Sequence, residues 1–438
     1  MVREVIDVNY GGNKVGAVSF NTETGLGEFE YYPEFIALNV ELSPIKMPLD
    51  RKIYSFPELE FETFRGLPGL VADSLPDDFG NAVLNSWVAS QGKDPESITP
   101  LQRLQYIGKR GMGALEFSPP TRLKNLNATQ KVEIESLVKI AQDVLDERNV
   151  LTVGLSHNEE EDEGAMKLLL SVGTSAGGAR PKAVLAFNED FTEVRSGQVD
   201  VPETFTHYLM KFDGVSEHNK NQQTFGDPQG YGVMEYVYHK IAQQCGIDMM
   251  PCRLLQEGKR RHFITRRFDR AGNRKIHIQT LNGLAHVDYK KPGSFSYAEL
   301  FGVARKLKLP ASAAEQLFRR LVFNIVARNH DDHAKNFAFL LDKGKWSLAP
   351  AYDVVYSFKP GNKWIDKHWM SLNGKRDDFT REDFYSLESV SPLFSRSKID
   401  KIIDETTEHV SQWEALARKE GLPRQFIAKV QENLRLDL

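Results

Sequence analysis

Ala327-Arg328-Asn329-His330-Asp331-Asp332-His333-Ala334-Lys335-Asn336 stands between two apolar stretches. Before it, Leu317, Leu321 and Ile325 recur every four residues, the period of a helix with one buried face. After it, Phe337-Ala338-Phe339-Leu340-Leu341 reads as a strand. Polar and small residues pinned between a buried helix and a buried strand form a loop held rigidly at both ends, as a catalytic constellation requires. The internal spacing is that of phosphoryl transfer, in which an aspartate accepts the proton of the attacking hydroxyl and an asparagine five positions on holds a divalent metal. Asp331 and Asn336 have that separation, and Lys335 between them would put a cation where charge builds on the moving group. Asp353, in Pro350-Ala351-Tyr352-Asp353, supplies a second carboxylate for magnesium, which prefers hard oxygen ligands.

Two other readings of the same run stand beside this one. His330, Asp331, Asp332 and His333 could ligate a transition metal in a hydrolase. Four consecutive side chains rarely converge on one ion, however, and that reading leaves Asn336 and two upstream features unexplained. The run could also be a purely structural polar turn.

The first upstream feature is a glycine loop. Met166-Lys167-Leu168-Leu169-Leu170-Ser171-Val172 reads as a strand, Gly173-Thr174-Ser175-Ala176-Gly177-Gly178-Ala179-Arg180-Pro181-Lys182 as a loop, and Ala183-Val184-Leu185-Ala186-Phe187 as a second strand. Small residues let backbone N–H groups approach phosphate oxygens. There is no Gly-Lys-Ser/Thr ending, and Pro181 discourages a following helix, so this is not a P-loop. It has the form of a kinase glycine loop closing a hairpin over a nucleotide, or of an ordinary hairpin tip. The second feature is Lys211 inside the apolar run His207-Tyr208-Leu209-Met210-Lys211-Phe212. An ammonium there must be paired or face a ligand, unless it snorkels from an edge strand to water. The helix expected over Gly232–Gly246 offers Glu235 as its partner.

Taken in order, these motifs resemble the HipA family of serine/threonine kinases, the toxins of bacterial toxin–antitoxin pairs. The residues carrying the likeness are Ala176–Lys182, Met210-Lys211-Phe212, Arg267-Phe268-Asp269-Arg270, His330–Asn336 and Pro350–Asp353, joined in the amino-terminal third by Leu75-Pro76-Asp77 and Ile107–Ala114. The resemblance implies Asp331 as catalytic base with Lys335 beside it, and Asn336 with Asp353 as magnesium ligands. It implies ATP contacts from Gly177, Gly178, Ala179, Arg180, Pro181, Lys182, Lys211, Arg266, Arg267, Phe268, His333, Asn336, Tyr352 and Asp353. Where the family carries a glutamate at the adenine hinge, this chain has Arg266. The resemblance also implies inactivating autophosphorylation at Ser175, with Thr174 adjacent, because a phosphate placed there would repel ATP. The implied cofactors are ATP and Mg2+. The implied partners are a HipB-like helix-turn-helix antitoxin, operator DNA reached mainly through it, and a substrate that is an aminoacyl-tRNA synthetase, glutamyl as the first choice.

The fold expected is α+β and bilobal, like a protein kinase. Residues 1–120 form a strand-rich subdomain, 121–268 a β-rich lobe with the glycine loop, and 269–438 an all-helical lobe with the catalytic and metal-binding motifs. The composition agrees. In 438 residues, 56 Lys+Arg stand against 60 Asp+Glu, a net charge of −4 that excludes a wholesale nucleic-acid coat. Lys259-Arg260-Arg261 is a local exception, either a DNA contact or a solvated hairpin tip. Two cysteines, Cys245 and Cys252, exclude a disulfide framework and a four-thiolate zinc site. No run suits a membrane span and the start lacks signal-peptide layout, so a cytoplasmic protein is expected. The acidic run Glu159–Glu163 reads as a solvated loop, and the loop Asp213–Gly230 as a surface connection or a segment that orders on substrate docking. Two functional alternatives use the same fold, a non-catalytic ATP-binding co-repressor and a small-molecule kinase.

Overall fold

The structure, a computed structural model, describes residues 3–121, 131–147, 169–173, 180–215 and 228–438. Gly177, Gly178, Ala179, Thr174 and Ser175 lie outside the described residues, as do Glu159–Glu163 and most of the loop after Asp213.

Alternating apolar residues build the first sheet. β1 (Arg3–Tyr10), β2 (Asn13–Asn21), β3 (Leu26–Tyr31) and β4 (Leu115–Ser118) pair antiparallel in the order β3-β2-β1-β4. Val8, Val18, Phe29 and Phe117 from this sheet are buried with Leu101 and Leu104 of the helix Pro100–Ile107. The second sheet comprises β5 (Lys182–Asn188), β6 (Val194–Ser196), β7 (Phe205–Lys211), β8 (Cys252–Glu257) and β9 (Arg260–Arg266), ordered β6-β5-β7-β9-β8. Its register sets Lys182 directly opposite Lys211.

The helix Asp78–Ser90, although it lies within residues 1–120, packs on the second sheet. Its Phe79, Val83 and Trp87 bury themselves with Leu185, Phe187, Met210 and Ile264 of the second sheet, not with the first. Residues 169–173 are helical where a strand was expected, so a helical turn, not a strand, precedes the glycine loop. Periodicity cannot separate the two states in so short a buried run.

The last third is mainly helical, with Tyr297–Lys306, Ala311–Val326, Arg396–Val410, Trp413–Lys419 and Arg424–Gln431. It is not all helix. The ribbon β10 (Arg270–Ala271) with β11 (Arg274–Lys275) and the sheet β12 (His277–Thr280), β13 (Ala338–Asp342) and β14 (Lys345–Leu348) also fall here. The helix Tyr231–Gln244 joins the two lobes, packing on β8 and β9 while Val237, Tyr238 and Ile241 enter the carboxy-terminal core with Phe323 and Trp413.

Two histidines, His277 buried and His286 partly buried, seal the joint between the amino-terminal unit and the helical lobe. His277 Nε2 lies 2.9 Å from the Leu42 carbonyl, and His286 Nε2 accepts the Gly69 N–H at 3.2 Å. Burial pushes them down to about 4 and about 3. The unfolded chain therefore takes up these protons first. The stability they contribute is complete above the unfolded value near 6.5 and is lost as pH falls towards their folded values. Each should remove on the order of 1–2 kcal/mol between pH 6.5 and 5. Thermal melts across that window should show a falling midpoint; a flat profile would contradict the assignment.

Candidate active site

The helix Ala311–Val326 leads into the loop 327–336, and the following strand β13 carries the chain away from it. Within the loop two adjacent aspartates point opposite ways. Asp332 is buried and accepts from Tyr297 Oη at 2.6 Å and from the Trp369 N–H at 2.7 Å, with His368 Nδ1 at 3.0 Å. Asp331 keeps a side chain 42% exposed, with His333 Nε2 at 3.6 Å. Asp332 therefore anchors the loop and Asp331 remains available to a substrate. His330 is fully buried against the rings of His368 and Phe358, and burial, reinforced by His368 and Arg328, pushes it down to about 2. His333 is wedged between the rings of Tyr289 and Trp369.

A short turn, Ala334–Asn336, closes the loop. Asn336 Nδ2 donates to the Asp331 carbonyl at 2.7 Å, which leaves its Oδ1 as a ligand atom. Tyr352 Oη donates to the Lys335 carbonyl at 2.6 Å and ties the residue before Asp353 to the residue before Asn336. Lys335 lies over the Tyr289 ring, 4.6 Å from its centroid.

Lys211 is almost wholly buried at the end of β7, with Nζ 2.6 Å from Glu235 Oε1 and in contact with Asp353 Oδ1. Burial opposes its charge, but Asp353 and Glu235 together outweigh burial and raise its pKa. Burial likewise works against the Asp353 carboxylate, and Lys211, with Lys182, holds it well below the usual range. Burial raises Glu235, with Lys211 pulling the other way. Asp353 adopts φ of 53°, the left-handed region that aspartate tolerates better than most residues. Arg180 packs on the Tyr231 ring and contributes positive charge to the same cluster. Lys182 is buried with Nζ 3.5 Å from Asp77 Oδ2.

At the expected hinge, Arg267 turns towards Asp269. Its side chain is buried, donating to Asp269 through Nε at 2.8 Å and Nη2 at 2.7 Å. Arg270 also binds Asp269, while its guanidinium reaches the Gly111 and Gly113 carbonyls. Phe268 faces Tyr352, ring centroids 5.6 Å apart, and Arg266 is exposed. Lys259 sits at the turn between β8 and β9, and Arg261 is bound to the Glu420 and Gly421 carbonyls.

The donor set suits magnesium. An amide oxygen from Asn336 and the Asp353 carboxylate are hard ligands to which phosphate oxygens and water would add. Among the described residues no group of three or more His, Cys, Asp or Glu could hold a metal, so the hydrolase reading of residues 330–333 finds no support. Sequence reasoning assigned no role to Asp73 and Asp77. Asp73 accepts from the Thr280 N–H and Oγ1, both at 2.6 Å, and it and Asp77 lie within electrostatic reach of Lys335. The signal that touched them was the Leu75-Pro76-Asp77 segment, which carries part of the family resemblance.

Comparisons with known proteins show what the chain is similar to. The HipA toxin of Shewanella oneidensis, a serine/threonine-protein kinase by name, is 23% identical over 371 residues, 80% of this chain and 74% of that one. Y4mE of Sinorhizobium fredii, called a kinase by provisional name, is 24% identical over 189 residues, and the match covers 40% of this chain and 44% of that protein's own length. A solved complex of Shewanella oneidensis HipA, HipB and operator DNA contains a chain that superposes with a TM-score of 0.67 at 17% identity, covering 98% of this chain and 95% of that one. The two share a bilobal, kinase-like fold. A family model described as the HipA-like C-terminal domain matches residues 174–413 and one described as the HipA N-terminal domain matches 6–118, so the chain belongs to the HipA family.

Proposed function

We propose that this chain is an ATP- and Mg2+-dependent protein kinase that transfers the γ-phosphoryl group to a serine or threonine hydroxyl of a protein substrate. The observation that carries the reading is Lys211, buried between Glu235 and Asp353. A strand lysine held by a helix glutamate is the device that grips nucleotide phosphates in kinases. Without nucleotide, Asp353 and Lys211 neutralise each other; ATP with its metal would separate them, phosphate oxygens taking the ammonium and the metal taking the carboxylate. Bound magnesium would supply charge neutralisation on the phosphates, held by Asn336 and Asp353. Asp331 would accept the hydroxyl proton, and Lys335 would stand near the phosphoryl group in flight.

The finer assignments rest on family membership. They are a three-unit organisation divided near residues 120 and 268, a cytoplasmic setting, and an aminoacyl-tRNA synthetase as substrate, glutamyl first. They also include a HipB-like helix-turn-helix partner that brings the complex to operator DNA, and self-inactivation through Ser175. The solved relative bound to HipB and operator DNA supports the partner. Among the described residues no helix is long and apolar enough to cross a membrane.

Incubation of the purified chain with Mg2+ and γ-labelled ATP should place label on the chain, within the peptide spanning residues 174–182. Absence of label, together with absence of any thermal shift from ATP and Mg2+, would reject the reading.

A further inference from the structure

We propose that Asp77 is a positioning residue for Lys182, serving the lysine at the start of β5 as Glu235 serves Lys211. The proposal rests on the kinase reading above and adds a residue from the amino-terminal unit to that site. Lys182 and Lys211 are directly opposed on neighbouring antiparallel strands, so their side chains leave the same face of the sheet. Two ammoniums so placed repel, and each needs a carboxylate from outside the sheet. Lys211 has Glu235 and Asp353. Lys182 has Asp77, at 3.5 Å, with the two side chains 2% and 3% exposed.

Asp77 divides its carboxylate between two tasks. Oδ1 caps the helix Asp78–Ser90 by accepting the Gly80 N–H at 2.5 Å. Oδ2 is buried and has no hydrogen-bond donor among the described residues; Lys182 is the cation that faces it. A separation of 3.5 Å is longer than a good charged hydrogen bond. Lys182 is thus held by field rather than locked in a bond, and can reach a phosphate oxygen without leaving its counter-charge. The capped helix is itself fixed on the second sheet through Phe79, Val83 and Trp87. The position of Asp77 relative to β5 is therefore set by packing, and the amino-terminal unit helps to shape the phosphate end of the cleft.

The test compares the full-length chain, Asp77→Asn, Lys182→Met and the double variant. Asparagine keeps the capping oxygen and removes the charge, so folding should persist. Asp77→Asn should raise KM for ATP·Mg roughly tenfold while kcat changes by less than about threefold, the signature of lost nucleotide grip rather than lost chemistry. The double variant should be no worse than Lys182→Met alone, because one interaction is removed twice. Additive losses, or an unchanged KM with a lowered melting temperature, would reduce Asp77 to a helix cap and overturn the proposal. Should Asp77→Asn fail to fold, Asp77→Ser, a neutral cap, carries the same comparison. Calorimetric titration with a non-hydrolysable ATP analogue and Mg2+ separates the two levels of failure. If the unmodified chain does not bind, this proposal and the kinase reading fall together; if it binds and Asp77→Asn binds equally well, this proposal alone falls.

Discussion

Asp331→Asn is expected to lower phosphoryl transfer by about 10²–10⁴-fold and leave the fold untouched, whereas Asp332→Asn should unfold the site. The two residues are adjacent and chemically identical, so the contrast comes from their surroundings. The exposed Asp331 carboxylate has His333 at 3.6 Å, and little packing depends on it. Asp332 is enclosed by donors from Tyr297, His368 and the Trp369 backbone. An amide there would turn N–H groups towards groups that already donate, which should cost about 3 kcal/mol or more. Urea melts and label incorporation measured on both variants decide the matter. Equal stability in the two, or activity surviving in Asp331→Asn, would reverse the assignment of base and anchor.

Asp353→Asn should reduce transfer roughly a thousandfold and abolish the thermal stabilisation given by an ATP analogue with Mg2+. Lys211 lies between two carboxylates whose pKa values move apart, Glu235 upwards by burial and Asp353 downwards because Lys211 overrides burial. Asp353 is thus held in its carboxylate form by Lys211, the form a metal ligand takes. Without its charge, Lys211 still has Glu235 and the sheet should remain intact. A variant that retains both the Mg2+-dependent shift and transfer within about tenfold of the parent would remove Asp353 from the metal site.

The loop at 327–336 was legible because strong signals bracket it, a four-residue apolar repeat before and a β-type run after. The pairing of Lys211 with Glu235 was legible for a similar reason: a lone lysine in an apolar strand demands a partner, and the next helix offered an acid beside its buried stripe. Other features gave no local sign. Nothing in Asp331-Asp332 says which carboxylate turns inwards, since that depends on His368 and Trp369 some 36 positions on. Asp77 and Lys182 meet through tertiary packing alone. The direction of the Arg267 side chain had no local sign either, since an arginine next to Asp269 can turn either way and it is the Asp269 carboxylate, shared with Arg270, that holds it buried. The strand expected at Met166–Val172 failed where five apolar or small residues suit either state.

The Asp269 node has a consequence for how such chains can diverge. One carboxylate gathers two guanidiniums and the Gly113 N–H, and one of those guanidiniums returns to the Gly111 and Gly113 carbonyls. The segments matched separately by the two family models are stitched together at that point. A chimera that borrowed its first hundred or so residues from a cousin would inherit a working seam only if the donor kept the same glycine spacing. The two parts are free to drift in sequence, but they must drift in step.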